Sequence, residues 1–487
     1  MAVESYRFDV IVVGHGVAGM CAALTAHQQG ASVCVLERAP KDDRGGNTRW
    51  TEAFWRMKSH EEVADDFESH IAERTGGYLE PELIHSMNQS SEDWPGYLRA
   101  MSFPDPELLS TFAEQAPPTL AWLQDQGLRF DFLPIHQIVQ SFPKLAPVGG
   151  GLQLVESLVE KLEADNVPIF YQTTARNLIQ DEDGAVVGLN AVGRRNKPIE
   201  FLGRAIILAC GGYEGNPEMM THYIGRNAVN VRPVARGGYY NKGEGIRMAL
   251  DIGAAPAGEY GNFHAEPIDP RASGPEPAVM VFPYGILVNK HGQRFIDESP
   301  GPVDRTYEPI CYRLLNEDDG IAYIICDEKL EDVPNYQRAI RSEIPPITAD
   351  SIADLAEALG MPPGALQETV AMYNAACPTD GEFKPEEVDG LSTRGLQPRK
   401  SNWARPLDTG PYRAWPMTVS NVFTFGGLKV NSQAQVLNSD GEVIPGLYAA
   451  GEVVGIYYRY YTGATSVMRG ATFGRIAGRD AAQLQAP

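Results

Sequence analysis

No apolar run in the chain approaches the roughly 18 residues that cross a bilayer. The longest candidates, such as Val10–Val13 with its flanks, are strand-sized, so no membrane-spanning helix is expected. Positive charge is scarce: 41 Lys and Arg stand against 63 Asp and Glu, a net charge of -22. Such an acidic balance argues against nucleic acid or an anionic membrane surface as partner. Met1–Arg7 lacks a basic region followed by a hydrophobic segment, so no secretory leader is expected and the cytoplasm is the expected location. Cysteine is sparse as well. Cys21, Cys34, Cys210, Cys311, Cys326 and Cys377 form no CxxC pair and no ligand spacing with histidine. All six are expected to be reduced and structural, and no metal site is expected. Internal repeats and low-complexity tracts are absent too.

What is present is an ordinary globular composition, 43% hydrophobic and 21% charged over 487 residues. That length suits roughly three domains. Phe8–Val13 ends in glycines and reads as a buried parallel strand, Val17–Gln29 as a helix and Ser32–Glu37 as a second strand, a complete βαβ unit. Glu61 to Gln126 reads mainly helical, with breaks at Pro81, Pro95, Pro104–Pro106 and Pro117–Pro118. A helix over Leu152–Ala164 and strands over Pro168–Gln172, Val186–Ala191 and Ile206–Ala209 follow. From about Gly261 to Arg405 the chain is richer in proline and charge, and the α/β pattern resumes at Val422. The expected fold is therefore α/β. A discontinuous Rossmann-type dinucleotide domain spans 1–261 and 405–487, with an inserted α+β capping domain over 262–404.

Gly14-His15-Gly16-Val17-Ala18-Gly19 follows a strand and opens a helix. The first glycine permits a tight turn, the second a close approach of backbone to a pyrophosphate, and the third close packing of helix on strand. The helix N-terminus offers N–H groups and a positive dipole end to phosphates. Glu37 ends the second strand, where a carboxylate accepts hydrogen bonds from a ribose. Three further segments favour FAD over a nicotinamide nucleotide: Arg44-Gly45-Gly46-Asn47-Thr48, the strand running into Cys210-Gly211-Gly212, and Gly451-Glu452 near the C-terminus. Two strand–glycine–acid elements at opposite ends of the chain suit a long, extended cofactor, with Glu452 on ribityl hydroxyls. The turn Gly463–Ser466 opens a helix whose N–H groups are expected to face the flavin. Arg38, Ala175, Thr465, Ser466 and Val467 complete the expected cofactor contacts.

At these segments the sequence resembles the fumarate reductase/succinate dehydrogenase flavoprotein family over essentially its whole length, and most of all a tricarballylate dehydrogenase-like branch. Gly212-Tyr213-Glu214-Gly215-Asn216-Pro217-Glu218, Gly243-Glu244-Gly245-Ile246-Arg247, Phe282-Pro283-Tyr284-Gly285-Ile286, Gly292-Gln293-Arg294-Phe295-Ile296-Asp297-Glu298 and Thr472-Phe473-Gly474-Arg475-Ile476-Ala477-Gly478 carry the likeness. The resemblance implies FAD-only chemistry, since no haem-binding CxxCH is present. It also implies noncovalent FAD, since Ala39–Gly46 has no histidine where covalent members carry one.

The resemblance further implies an oxidoreductase acting on CH–CH donors: a desaturase for a bond next to a carboxylate or ketone in a small organic acid. A tricarballylate-like or cyclic keto acid is the expected donor, and a quinone, electron carrier or O2 the expected acceptor. Hydride moves between carbon and flavin N5, and a proton moves at the neighbouring carbon. The same chemistry in reverse, an ene-reductase, and a 3-keto desaturase like the distantly similar ketosteroid dehydrogenases are the alternatives. Arg305, after the Arg294–Glu298 motif, matches the family's proton-carrying arginine, with Asp304 or Glu308 as relay. The fumarate clamp is largely missing: Phe423 replaces a histidine. His264 matches a substrate histidine. Tyr461 matches a tyrosine that binds the substrate carbonyl beside a backbone N–H in ketosteroid dehydrogenases. Arg459 suits a carboxylate, Tyr460 belongs to the same cluster, and Gly150 opens a possible close-approach loop.

Overall fold

The chain was analysed as a computed structural model that describes residues 3–76, 105–132, 138–142 and 144–484. In chain order, the elements that build the site begin with β1 (Val10–Val13), α1 (Val17–Gln28), β2 (Val33–Glu37), α2 (Gly150–Ala164), β3 (Ile169–Tyr171) and β4 (Ala205–Leu208). They continue with β5 (Phe263–Ile268), β6 (Ile286–Asn289), α3 (Val303–Leu314) and β7 (Ala322–Cys326). The last are β8 (Tyr412–Thr424), β9 (Gln435–Leu437), β10 (Val443–Ala449) and α4 (Ser466–Gln483).

Every residue of β1, β2 and β4 is buried. Strands covered on both faces read as continuous apolar runs because helices lie on both sides of a parallel sheet. The first sheet has the order β9-β10-β4-β1-β2-β3, parallel except for the antiparallel edge strand β9. This is the expected Rossmann-type unit, completed by β10 from the far end of the chain. A second, mainly antiparallel sheet joins β6, β7 and the long strand β8, with β5 also paired to β8. β5, β6 and β7 fall within residues 262–404 and β8 after them, so this sheet draws on both sides of residue 404. Val281, Leu287, Ile310, Ile324 and Trp415 lie in the core beneath this sheet.

Helix α4 crosses α1 at backbone contact. A Cβ added to Gly474 would overlap the Ala18 carbonyl, and one added to Gly478 the Ala22 carbonyl. Gly470, four residues earlier, faces Val17. The spacing puts all three on one helix face. Gly14 and Gly19 complete the junction: a side chain at Gly14 would overlap Ala209 of the β4 end, and one at Gly19 the Gly14 carbonyl.

One expectation is corrected. Pro117 and Pro118 do not break a helix; they lie inside one continuous helix, Pro106–Asp125. Each interior proline costs a helix about 3 kcal/mol. Against that, Leu109, Phe112, Leu120 and Leu123 are buried on one face, worth about 1.5–3 kcal/mol each. Burial therefore offsets the two lost donors. Pro81, Pro95 and Pro104 lie outside the described residues.

The α1–α4 contact generates a prediction. Gly474→Val should lower stability by about 1–3 kcal/mol, the cost of overpacking a tight contact. A urea-unfolding midpoint equal to that of the wild type would contradict the backbone contact.

Candidate active site

One cavity, open to solvent, runs from the β1–α1 turn to the second sheet. Gly14, Gly16, Val17 and Ala18 border its first end, and Gly16, which opens α1, has no side chain of its own to cap it. A Cβ added to Gly16 would lie 3.6 Å from the Thr48 hydroxyl and 3.8 Å from the Gly45 carbonyl, with no closer neighbour. Gly19 lies behind the turn rather than in it. The Glu37 carboxyl accepts the Ala39 N–H at 2.6 Å and the His15 N–H at 3.1 Å. Burial pushes Glu37 up to about 7 and drives His15 down to about 3, so His15 is neutral there.

Arg38, Gly46, Asn47, Thr48, Ala175, Cys210 and Gly211 also border the cavity. Gly45 instead faces Val155 of α2, and Gly212 lies against Thr424 and Glu452. Thr48 Oγ1 accepts the Val17 N–H at 3.2 Å, which fixes the second glycine segment on the helix start. Gly451 and Glu452 border the cavity from the end of β10. Glu452 Oε1 accepts the Thr424 N–H at 2.8 Å and its hydroxyl at 3.1 Å. Ser466 and Val467 border it at the start of α4, while Thr465 lies behind them. The N–H groups of Thr465 and Ser466 both end on the Tyr461 hydroxyl, each at 2.9 Å.

At the other end, His264 on β5 is 4% exposed. Its Nδ1 lies 2.9 Å from Glu308 Oε1 on α3, and the Tyr307 hydroxyl lies 3.4 Å from its Nε2. Glu308 Oε1 also accepts the Ala265 N–H at 3.3 Å, and Oε2 accepts the Tyr461 N–H at 2.9 Å. A carboxylate on Nδ1 selects the tautomer that presents Nε2. Glu266 lies 3.9 Å beyond Nε2, and burial pushes it up to about 7. Phe423 and Tyr461 form ring contacts with His264, at centroid distances of 5.2 and 4.3 Å. At the rim, the ammonium of Lys144 lies 3.4 Å from Asp304 and both side chains are buried.

His264 and Tyr461 meet in the cavity, but the N–H and the hydroxyl of Tyr461 are both engaged by protein: the N–H by Glu308 and the hydroxyl by the start of α4. Four other expected contacts do not border the cavity. Arg305 is half exposed and pairs with Asp66 at 3.6 Å. Arg459 has its N–H on Glu259 and its carbonyl on Asn262. Tyr460 lies against Tyr312 at 5.9 Å. Gly150 approaches the Thr51 carbonyl at the start of α2, a contact of backbone with backbone. Sequence reasoning passed over Tyr307 and Lys144, treated Glu308 only as a relay for Arg305, and left Glu214 inside a family motif. The available signal for Tyr307 and Glu308 was helical spacing: 304, 307, 308 and 311 fall on the buried face of α3, with 305 turned away.

The family described as "FAD binding domain" matches residues 9–467. An NADH:acrylate oxidoreductase from Vibrio harveyi is 28% identical over 98% of this chain, which spans 50% of that relative's length. The open conformation of a flavocytochrome c3 fumarate reductase is similar with a TM-score of 0.73 at 25% identity, covering 99% of this chain and 79% of that one. A 3-ketosteroid-Δ4-(5α)-dehydrogenase from Rhodococcus jostii RHA1, in complex with 4-androstene-3,17-dione, gives 0.67 at 26% identity, covering 99% and 100%.

The raised Glu266 makes stability depend on pH. Its carboxyl ionises at 4.5 in the ordinary case and at about 7 here, so between these values only the unfolded chain gives up the proton. Stability of the protein without cofactor should fall as pH rises through that window. Glu37 shifts the same way, so Glu266→Gln should flatten the decline without abolishing it. Urea unfolding across the window checks this, and parallel curves for variant and wild type would contradict it.

Proposed function

The chain belongs to the FAD-binding domain family of fumarate reductase-like flavoproteins, and from that premise we propose that it is an FAD-dependent oxidoreductase interconverting a CH–CH and a C=C bond next to a carbonyl group. The observation that carries the proposal is the continuity of the cavity, which puts the nucleotide turn and the His264–Tyr307 pair in one space.

The residues present fit FAD. A side chain at Gly16 or Gly46 would project into the cavity. Asn47 Oδ1 is buried with no hydrogen-bond partner among the described residues. Gly14–Ala18 would hold the pyrophosphate, Glu37 a ribose, and Gly451–Glu452 the ribityl chain. When bound, FAD supplies the hydride acceptor or donor. The protein handles the proton. Tyr307 exchanges it with the carbon beside the carbonyl, His264 takes it from the Tyr307 hydroxyl, and Glu308 balances the imidazolium charge. The surrounding rings exclude water, which strengthens each of these contacts.

The walls favour a neutral carbonyl compound, a ketone or enone on an apolar body, over a small polycarboxylate. Phe142, Tyr307, Phe423 and Tyr461 border the space. Each cation that borders it already faces a carboxylate: Arg38 faces Glu244 at 2.6 Å, Lys144 faces Asp304, and Arg469 faces Glu452. Arg305 and Arg459, which a carboxylate substrate would need, lie outside the cavity lining.

Dithionite-reduced holoenzyme should be reoxidised by enones such as 2-cyclohexen-1-one or 4-androstene-3,17-dione, and more slowly by acrylate or fumarate. A flavin spectrum unchanged by all four would contradict the proposal. With the active enone, Tyr307→Phe should slow reoxidation by about 10²–10⁴-fold, the usual worth of a general acid, at unchanged FAD content. Arg305→Ala should stay close to wild type. The opposite ranking would return the proton to Arg305.

A further inference from the structure

Beside the glycine segment Gly211–Gly212, two carboxyl groups meet at the shared side-chain amide of Asn241. Glu214 is 4% exposed. Its Oε1 accepts the side-chain amides of Asn47 at 2.7 Å and Asn241 at 2.6 Å. Its buried Oε2 has no hydrogen-bond partner among the described residues, and the Glu452 carboxyl is its neighbour across the Asn241 amide. Glu452 is itself filled with donors, Thr424 on Oε1 and Asn241 at 3.4 Å on Oε2. An ionised carboxylate only accepts; a protonated one carries an O–H. Two acceptors held this close and largely out of water remain together only if one holds a proton.

We propose that Glu214 is a cofactor-positioning residue that stays protonated, donates that proton to Glu452, and makes FAD binding depend on its presence. Burial and the neighbouring Glu452 charge push Glu214 well above the usual carboxylate range. The other ionisable groups against the pair are Tyr213 and Arg469. Arg469 is buried, with its Nε unpartnered among the described residues and its guanidinium 4.7 Å over the Tyr457 ring. With one proton on the pair, the Glu214–Glu452–Arg469 group is neutral. Without it, the cavity wall carries a net negative charge toward a ligand with two phosphates. Bound FAD would also cover Glu452, removing the water that the pair has in the cofactor-free protein. The pair therefore holds its proton more tightly in the holoenzyme, and binding takes up a proton in the window between its two affinities. The inference rests on the FAD part of the proposed function and not on the substrate, so it is read without turnover.

FAD is titrated into deflavinated protein at increasing pH, and proton uptake is measured by calorimetry in buffers of different ionisation enthalpy. In the wild type, affinity should fall by up to about tenfold per pH unit across the window, the limit for one linked proton. Glu214→Gln keeps a donor toward Glu452 and an acceptor for both asparagines. Its affinity should lose that slope and stay near the wild-type acid-side value, with the corresponding proton uptake gone. If Glu214→Gln does not fold, Glu452→Gln removes the partner of the same proton and should also abolish the uptake. Wild-type binding without proton uptake, or uptake unchanged in a folded variant of the pair, overturns the proposal.

Discussion

A buried carboxylate holds the catalytic end together. Glu308 reaches from α3 to an imidazole on β5 and to a backbone N–H in the turn that precedes α4. Hydrogen bonds to a charged group are worth about 1.5–3 kcal/mol each, and leaving such a group buried without them costs more. The two sheets are thereby tied at one point. α3 supplies the acid, β5 the imidazole and the segment before α4 the N–H. His264 and the Tyr461 ring keep their mutual positions because one carboxylate holds both.

The nucleotide end was legible in the sequence because its determinants are local. A glycine turn, an apolar strand and a terminal acid lie within about one βαβ unit, and each residue type has one backbone reason to be there. The catalytic end was not, because β5, α3 and the 459–463 turn meet only in three dimensions. Family position marked α3 as important, but Arg305 and Glu308 point to different sides of it, and only packing decides which side faces the cavity. Tyr461 was found by resemblance. That its hydroxyl would serve the N-terminus of α4 depends on the rotamer, which a motif does not carry. The proline pair at 117–118 failed for a related reason: breaker rules price the backbone alone, and here the buried face outweighs it.

The chain is strongly acidic overall, yet the cavity is a place of matched charge. Its cations stand beside carboxylates, and burial pushes two of its other acids, Glu37 and Glu266, up to about 7. Removing carboxylates from water raises the cost of ionising them, so a wall rich in acids presents less negative charge than its composition suggests. Net charge therefore describes the outer surface and solubility rather than the ligand.

The glycine face on which α4 meets α1 joins segments separated by nearly the whole chain. Contacts of that sequence separation form late, since the intervening loop must be closed first. The nucleotide turn emerges from the ribosome well before β10 and α4, which complete its sheet and seal its helix. A nascent chain consequently has the phosphate-binding motif long before it has the site. Cofactor capture waits for these two elements, and a product truncated before them should be unable to sequester the flavin.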